Sequence, residues 1–159
     1  SVAVQLRYFK TMNEDFIDRL ALKVSTEFSD KTVEIYSFQD DIDLKICEQF
    51  QKSLNLLNPD IKTVLHSNLT DEEIISGISK SEYLIAMRFH AIIVGLISST
   101  KTLAIDYDVK VQKIAFEFGL PVIDLKNDFG DKFQDLKKMN NRTASKAFDW
   151  NGFLRTIEG

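Results

Sequence analysis

Apolar and polar positions along this chain switch repeatedly between a two-residue and a helical period. Val2-Ala3-Val4-Gln5-Leu6 is short and rich in β-branched residues, which predicts a first strand over 2–6. Thr11 and Glu14 have capping-box spacing, and Phe16, Ile17, Leu20, Leu22, Val24 and Phe28 then recur at near-helical intervals. Lys31 to Tyr36 predicts a second strand, closed by Ser37-Phe38-Gln39-Asp40-Asp41. From about Asp43 to Leu56 the pattern is helical, with Leu44, Cys47, Phe50, Leu54 and Leu57 expected on the inner side. Asn58-Pro59-Asp60 marks a turn, and Lys62 to Leu65 predicts a third strand, short enough to read as loop instead. Thr70 and Glu73 form a second capping box before Ile74, Ile75 and Ile78.

Tyr83 to Met87 is apolar on both faces, as a central parallel strand must be. Ala91 to Ile97 stays apolar all round, predicting a helix buried on most sides. Thr102–Ile105 is expected as a fifth strand and Val109–Phe118 as a helix stopped by Gly119. Val122–Leu125 is then a sixth strand, with further helices over Asp128–Met139 and Phe148–Ile157. Strands separated by helices imply an α/β fold: a doubly wound, mostly parallel, Rossmann-like sheet with right-handed crossovers. The natural strand order is 3-2-1-4-5-6, which makes strands 1 and 4 neighbours where the winding reverses. A ligand crevice is expected beyond their carboxyl ends.

Composition narrows this little. The 159 residues suit one domain, and 44% hydrophobic with 28% charged residues is ordinary for a globular protein. A formal net charge of −4 argues against nucleic acid as a partner, because phosphate neutralisation needs surplus Lys and Arg. The longest apolar stretch, Tyr83 to Ile97, is broken by Arg88 and His90 and is too short for a transmembrane segment. The lone Cys47 cannot form an intrachain disulfide, so a cytoplasmic location is expected, or one peripheral to the inner face of the membrane. A strand-like run almost at the first residue suggests a piece of a longer protein.

The candidate chemistry lies at strand ends. Arg7 follows the first strand, and Arg88-Phe89-His90 follows the fourth. Two guanidinium groups and an imidazole would converge beside a helix N-terminus, whose free N–H groups favour an anion. Guanidinium forks bind carboxylate or phosphate oxygens in pairs, so the expected ligand is acidic, even doubly so. Taken singly, each residue has an ordinary explanation, a solvated arginine or a structural histidine. Their place inside the most apolar stretch is what points to function, since a buried charge there must be paired or reach solvent. Asp106-Tyr107-Asp108-Val109-Lys110 follows the fifth strand; Asp106 or Asp108 could simply cap the next helix. Asp40 and Asp41 follow the second strand, with Asp40 the functional choice of the two. No G-x-G-x-x-G, phosphate-binding P-loop or G-x-S-x-G elbow occurs, and His66 and His90 lack zinc-site spacing. Cys47, on an apolar helix face, reads as core.

Tyr83-Leu84-Ile85-Ala86-Met87-Arg88-Phe89-His90-Ala91-Ile92-Ile93, followed by Thr102-Leu103-Ala104-Ile105-Asp106-Tyr107-Asp108-Val109-Lys110-Val111, resembles the polysaccharide pyruvyl transferase family. The family shows an Arg-Leu-His-Ala element and then a Tyr-Asp-Pro-Lys element; here Phe89 stands for the Leu and Val109 for the Pro. The resemblance implies the carboxyl-terminal half of a two-domain enzyme similar to two-Rossmann-domain glycosyltransferases, the amino-terminal domain being a partner outside this chain. It further implies transfer of the pyruvyl group of phosphoenolpyruvate to a sugar or glycan-lipid acceptor as a ketal, with release of phosphate. No cofactor and no metal are implied. By that resemblance Arg88 and Arg7 clamp the donor, His90 is the general acid or base, and Lys110 stabilises departing phosphate. Tyr107 and Asp108 shape the site, and Asp40 matches an Asp after the second strand. Arg88→Ala in the full-length enzyme is then expected to abolish turnover and leave the fold largely intact. Two alternatives stand beside this: the donor-binding half of a nucleotide-sugar glycosyltransferase, and a non-catalytic binding module of the same fold.

Overall fold

The computed structural model describes residues 1–10 and 14–140. Six strands, β1 (Val2–Gln5), β2 (Val33–Tyr36), β3 (Thr63–His66), β4 (Tyr83–Ala86), β5 (Lys101–Asp106) and β6 (Val122–Asp124), alternate with helices. The helices are α1 (Glu14–Glu27), α2 (Asp40–Leu57), α3 (Asp71–Lys80), α4 (Phe89–Ile97), α5 (Val109–Phe118) and α6 (Lys132–Lys138). The strands form one sheet in the order β3-β2-β1-β4-β5-β6, every pairing parallel, so the doubly wound expectation holds.

Alternation along the central strands sorts side chains to two cores. Val2, Val4, Ile85, Leu103 and Ile105 face α1, α2 and α6, where Phe16, Phe28, Phe50 and Phe133 are wholly buried. Ala3, Leu84, Ala86 and Ala104 face α3, α4 and α5. The smaller residues on that face let the helices come close. In α4, an added Cβ at Gly95 would lie 2.7 Å from Leu84 Cδ2, so glycine is what seats α4 against the sheet.

Boundaries shift where polar residues join helices. The helix α2 starts at Asp40, three residues before the expected position, and α4 starts at Phe89, so Arg88 is its N-cap and His90 lies in its first turn. The helix α6 is shorter than the 128–139 pattern suggests. The stripe Asp43, Ile46, Cys47, Phe50, Leu54 is buried in α2, while Leu44 is half-buried and Leu57 exposed. Leu22 is exposed for a similar reason: Ile17, Leu20, Ala21, Val24 and Phe28 complete the inner face of α1 without it. Ile75 on α3 and Ile97 at the end of α4 are at least half exposed, so the apolar surround of α4 is buried on most sides but not at its last residue. The Thr70–Glu73 capping box is present, and Gly119 ends α5 at φ 62 in the left-handed region. Thr11 and the helix expected over Phe148–Ile157 lie outside the described residues. Among the described residues no helix is long and apolar enough to cross a membrane.

Candidate functional site

Parallel pairing puts all strand exits on one edge of the sheet. Gln5 pairs with Ala86, so the chain leaves β1 and β4 side by side, at the reversal of winding. The first organising group there is the Gln5 side chain, wholly buried in an apolar strand. Its Oε1 accepts from the backbone N–H of Arg88 at 2.7 Å and of Met87 at 3.2 Å, and its Nε2 donates to the Leu6 carbonyl at 3.1 Å. One amide thus satisfies the backbone where β4 turns into α4, and fixes the point from which Arg88 departs.

From there the Arg88 side chain reaches across the sheet edge to α2. Its Nε donates to Asp43 Oδ2 at 2.8 Å and its Nη2 to Asp43 Oδ1 at 2.9 Å, a bidentate pair. The Nη2 also donates to Gln39 Oε1 at 3.1 Å, while Asp43 Oδ2 accepts from the Gln39 backbone N–H. Asp43 has no exposed side-chain surface and Arg88 keeps 14%. The pair argues against the expectation that Arg88→Ala would leave the fold largely intact. Arg88 neutralises a buried carboxylate, and losing it strands that charge. Among the described residues no partner holds Nη1, so that nitrogen is the part of the fork left for a ligand.

The start of α4 contributes donors as well. Arg88 makes no side-chain cap bond, and no acidic residue occupies the first turn, so the terminal N–H groups keep their partial positive charge. His90 is exposed in that turn, with Phe89 edge-on to it at 5.8 Å. Arg88 and His90 share a cleft of about 410 Å³ with Phe38, Gln39, Ile74 and Ile93.

Arg7 approaches from β1. Its Nη1 donates to the Tyr107 hydroxyl at 3.2 Å, and its guanidinium carbon lies 5.1 Å from the centre of that ring. Phe9 packs edge-on against Tyr107 at 5.3 Å. Burial raises the Tyr107 pKa above its ordinary 10.0, opposed by the hydrogen bond from Arg7 and by the positive charges of Arg7 and Arg88. Tyr107 thus braces Arg7, but neither residue lines the cleft of Arg88 and His90; Tyr107 and Asp108 line a second cleft of about 490 Å³.

The remaining candidates have local duties. Asp108 caps α5, accepting from the Val111 N–H at 2.9 Å, and Lys110 is exposed in the first turn that follows. Asp40 accepts from Ser37 Oγ at 2.7 Å and from the Asn68 N–H at 2.8 Å, tying the turn after β2 to the turn after β3. Both Asp40 oxygens thus face other strand exits than those of β1 and β4. Cys47 is core, its thiol directed at the carbonyls of Leu6 and Tyr36 and pushed up to about 12 by burial. Among the described residues no group of three or more His, Cys, Asp or Glu side chains is arranged to hold a metal ion.

Two residues of the site escaped sequence reasoning. Gln5 showed only as one polar residue in a core strand. Asp43 carried a clearer signal: 43, 47, 50 and 54 are spaced as one inner helical stripe, which makes Asp43 the charged member of a core face.

The model of the polysaccharide pyruvyl transferase family matches residues 4–109, about two thirds of the chain. The chain belongs to that family. The matched span runs from β1 to the first residue of α5 and contains Arg7, Asp40, Asp43, Arg88, His90, Tyr107 and Asp108, stopping one residue before Lys110. No curated protein and no solved structure matches the chain. Membership in the family implies transferase activity in polysaccharide synthesis, with a sugar or polysaccharide as acceptor.

Proposed function

We propose that this chain is the donor-binding, carboxyl-terminal half of an enzyme that transfers the pyruvyl group of phosphoenolpyruvate to two hydroxyls of a sugar. The observation that carries this reading is the Arg88 fork, fixed by Asp43 and Gln39, in one cleft with His90 beside the uncapped start of α4, with Arg7 leaving the neighbouring strand β1. Such a donor carries a carboxylate and a phosphate, and it needs cationic groups arriving from separate directions. Arg88 Nη1 and Arg7 bind these two acidic groups, and the N–H groups of α4 add a directional share. Lys110 neutralises phosphate as it departs. Tyr107 and Asp108 hold the shape of the pocket, the first by bracing Arg7 and the second by fixing the start of α5.

In the reaction, the methylene carbon of the donor takes a proton and becomes a methyl group. The central carbon bonds to two acceptor oxygens and loses its bond to the phosphate oxygen. Of the two hydroxyl protons displaced, one balances the new methyl hydrogen and the other leaves with phosphate. His90, exposed on the first turn of α4, delivers and receives these protons, because an imidazole has one nitrogen that donates and one that accepts. Asp40, its oxygens held by Ser37 and the Asn68 N–H, supports the site from the exit of β2 by fixing the turns there.

Calorimetry with phosphoenolpyruvate and with uridine diphosphate tests the reading directly. Binding of phosphoenolpyruvate, abolished in Arg7→Ala, supports it. Binding of uridine diphosphate alone supports a nucleotide-sugar enzyme instead, and binding of neither leaves the domain a non-catalytic module.

A further inference from the structure

Asp43 is a buried carboxylate that the proposed chemistry does not use, yet it takes two of the three nitrogens of the arginine expected to hold the donor. Its effect on that arginine has two parts. It cancels most of the net charge of Arg88, so Arg88 offers a ligand little undirected attraction. It also locks the plane of the guanidinium, since two parallel hydrogen bonds leave no rotation about the fork, and Gln39 closes the outer Nη2 position. Among the described residues, the nitrogen left without a partner is Nη1, held in a fixed direction.

We propose that Asp43, seconded by Gln39, is a positioning residue that sets specificity. It converts Arg88 from a general anion attractor into a directional donor matched to one oxygen of a two-headed acid. The proposal rests on the donor reading given above. A free arginine would bind inorganic phosphate and phosphoenolpyruvate through charge alike. A locked one favours the ligand whose second acidic group is simultaneously placed on Arg7. The buried position of Asp43 is what makes the lock effective, because no water competes for its oxygens.

The test compares inorganic phosphate with phosphoenolpyruvate by calorimetry on the full chain, as wild type, Asp43→Asn and Gln39→Ala. Wild type is expected to prefer phosphoenolpyruvate. Asp43→Asn removes a negative charge from the site, so phosphate binding should tighten, while the preference for phosphoenolpyruvate falls by about tenfold or more as Arg88 loses its orientation. Gln39 is exposed, so Gln39→Ala keeps the fold and should reduce the preference in the same direction by a smaller factor. If Asp43→Asn does not fold, Gln39→Ala decides alone. A purely structural Asp43 would lower thermal stability and leave the ratio of the two affinities untouched. A wild-type preference that survives in every folded variant overturns the positioning role but not the donor reading. A wild type that binds neither ligand overturns both.

Discussion

Arg88 and Asp43 meet over the carboxyl edge of the sheet, through N–O distances of 2.8 and 2.9 Å, and so join the first turn of α2 on one face to the start of α4 on the other. The pair ties the two helix layers together at the place where the ligand crevice opens. Stability and binding are therefore coupled at Arg88, and experiments must separate them.

Arg88→Ala leaves the Asp43 carboxylate buried without its counter-charge. Urea unfolding should show a loss of about 3–5 kcal/mol, the usual consequence of breaking a buried pair from one side. The double variant Arg88→Ala/Asp43→Ala should recover a large part of that loss, because the stranded charge is gone. A single variant within about 0.5 kcal/mol of wild type would mean that the pair is solvated in practice.

His90 is exposed and makes no hydrogen bond with the described residues, so its removal should not disturb folding. His90→Ala is expected to unfold within about 0.5 kcal/mol of wild type. Phosphate release from phosphoenolpyruvate by the complete enzyme should fall by about a hundredfold or more in the same variant. Unchanged release would remove His90 from proton transfer.

Alkaline pH should weaken the fold in two stages. Burial holds the Cys47 thiol at about 12 against an ordinary 9.0, and the Tyr36 hydroxyl at about 12 against 10.0. Each folded group keeps its proton where the unfolded one loses it, so their contribution is complete below pH 9 and is lost as pH climbs toward 12. The loss is about 1.4 kcal/mol per pH unit for each group ionised only when unfolded. The midpoint of urea unfolding should begin to fall near pH 9, and Cys47→Ala should delay that onset to about pH 10. An onset unmoved by Cys47→Ala would show that the thiol is not buried as described.

Alanine normally improves on glycine within a helix by up to about 1 kcal/mol. At Gly95 the sign should reverse. The new Cβ would stand 2.5 Å from Thr102 Oγ1 and 2.7 Å from Leu84 Cδ2, and overpacking of this kind costs about 1–3 kcal/mol. Gly95→Ala should also weaken phosphoenolpyruvate binding, since α4 carries Arg88 and His90 and cannot stay seated. A stabilised variant would indicate looser packing of α4 on β4 and β5.

Much of the fold was legible before any coordinates. β-branched runs such as Val2–Leu6 and the doubly apolar Tyr83–Met87 can be satisfied only inside a parallel sheet, and the helical stripes between them dictate crossovers. That reasoning places Arg7 and Arg88 on one edge, because residues following adjacent parallel strands must emerge together. Local pattern also fixed the Thr70 cap and the Gly119 stop, both decided within a few residues by backbone geometry.

Partners in space were another matter. Nothing near Arg88 in the sequence announces Asp43, 45 positions earlier, and a run of Asp residues at a helix start reads as solvated until one of them is seen on the inner stripe. The bond from Arg7 to Tyr107 spans 100 positions and exists because β1 and β5 both flank β4. Sequence determines which residues reach the edge of the sheet, since periodicity is a local property. Only the packed structure decides which charges cancel there and which stay open to a ligand, because that depends on distances between segments the chain itself keeps far apart.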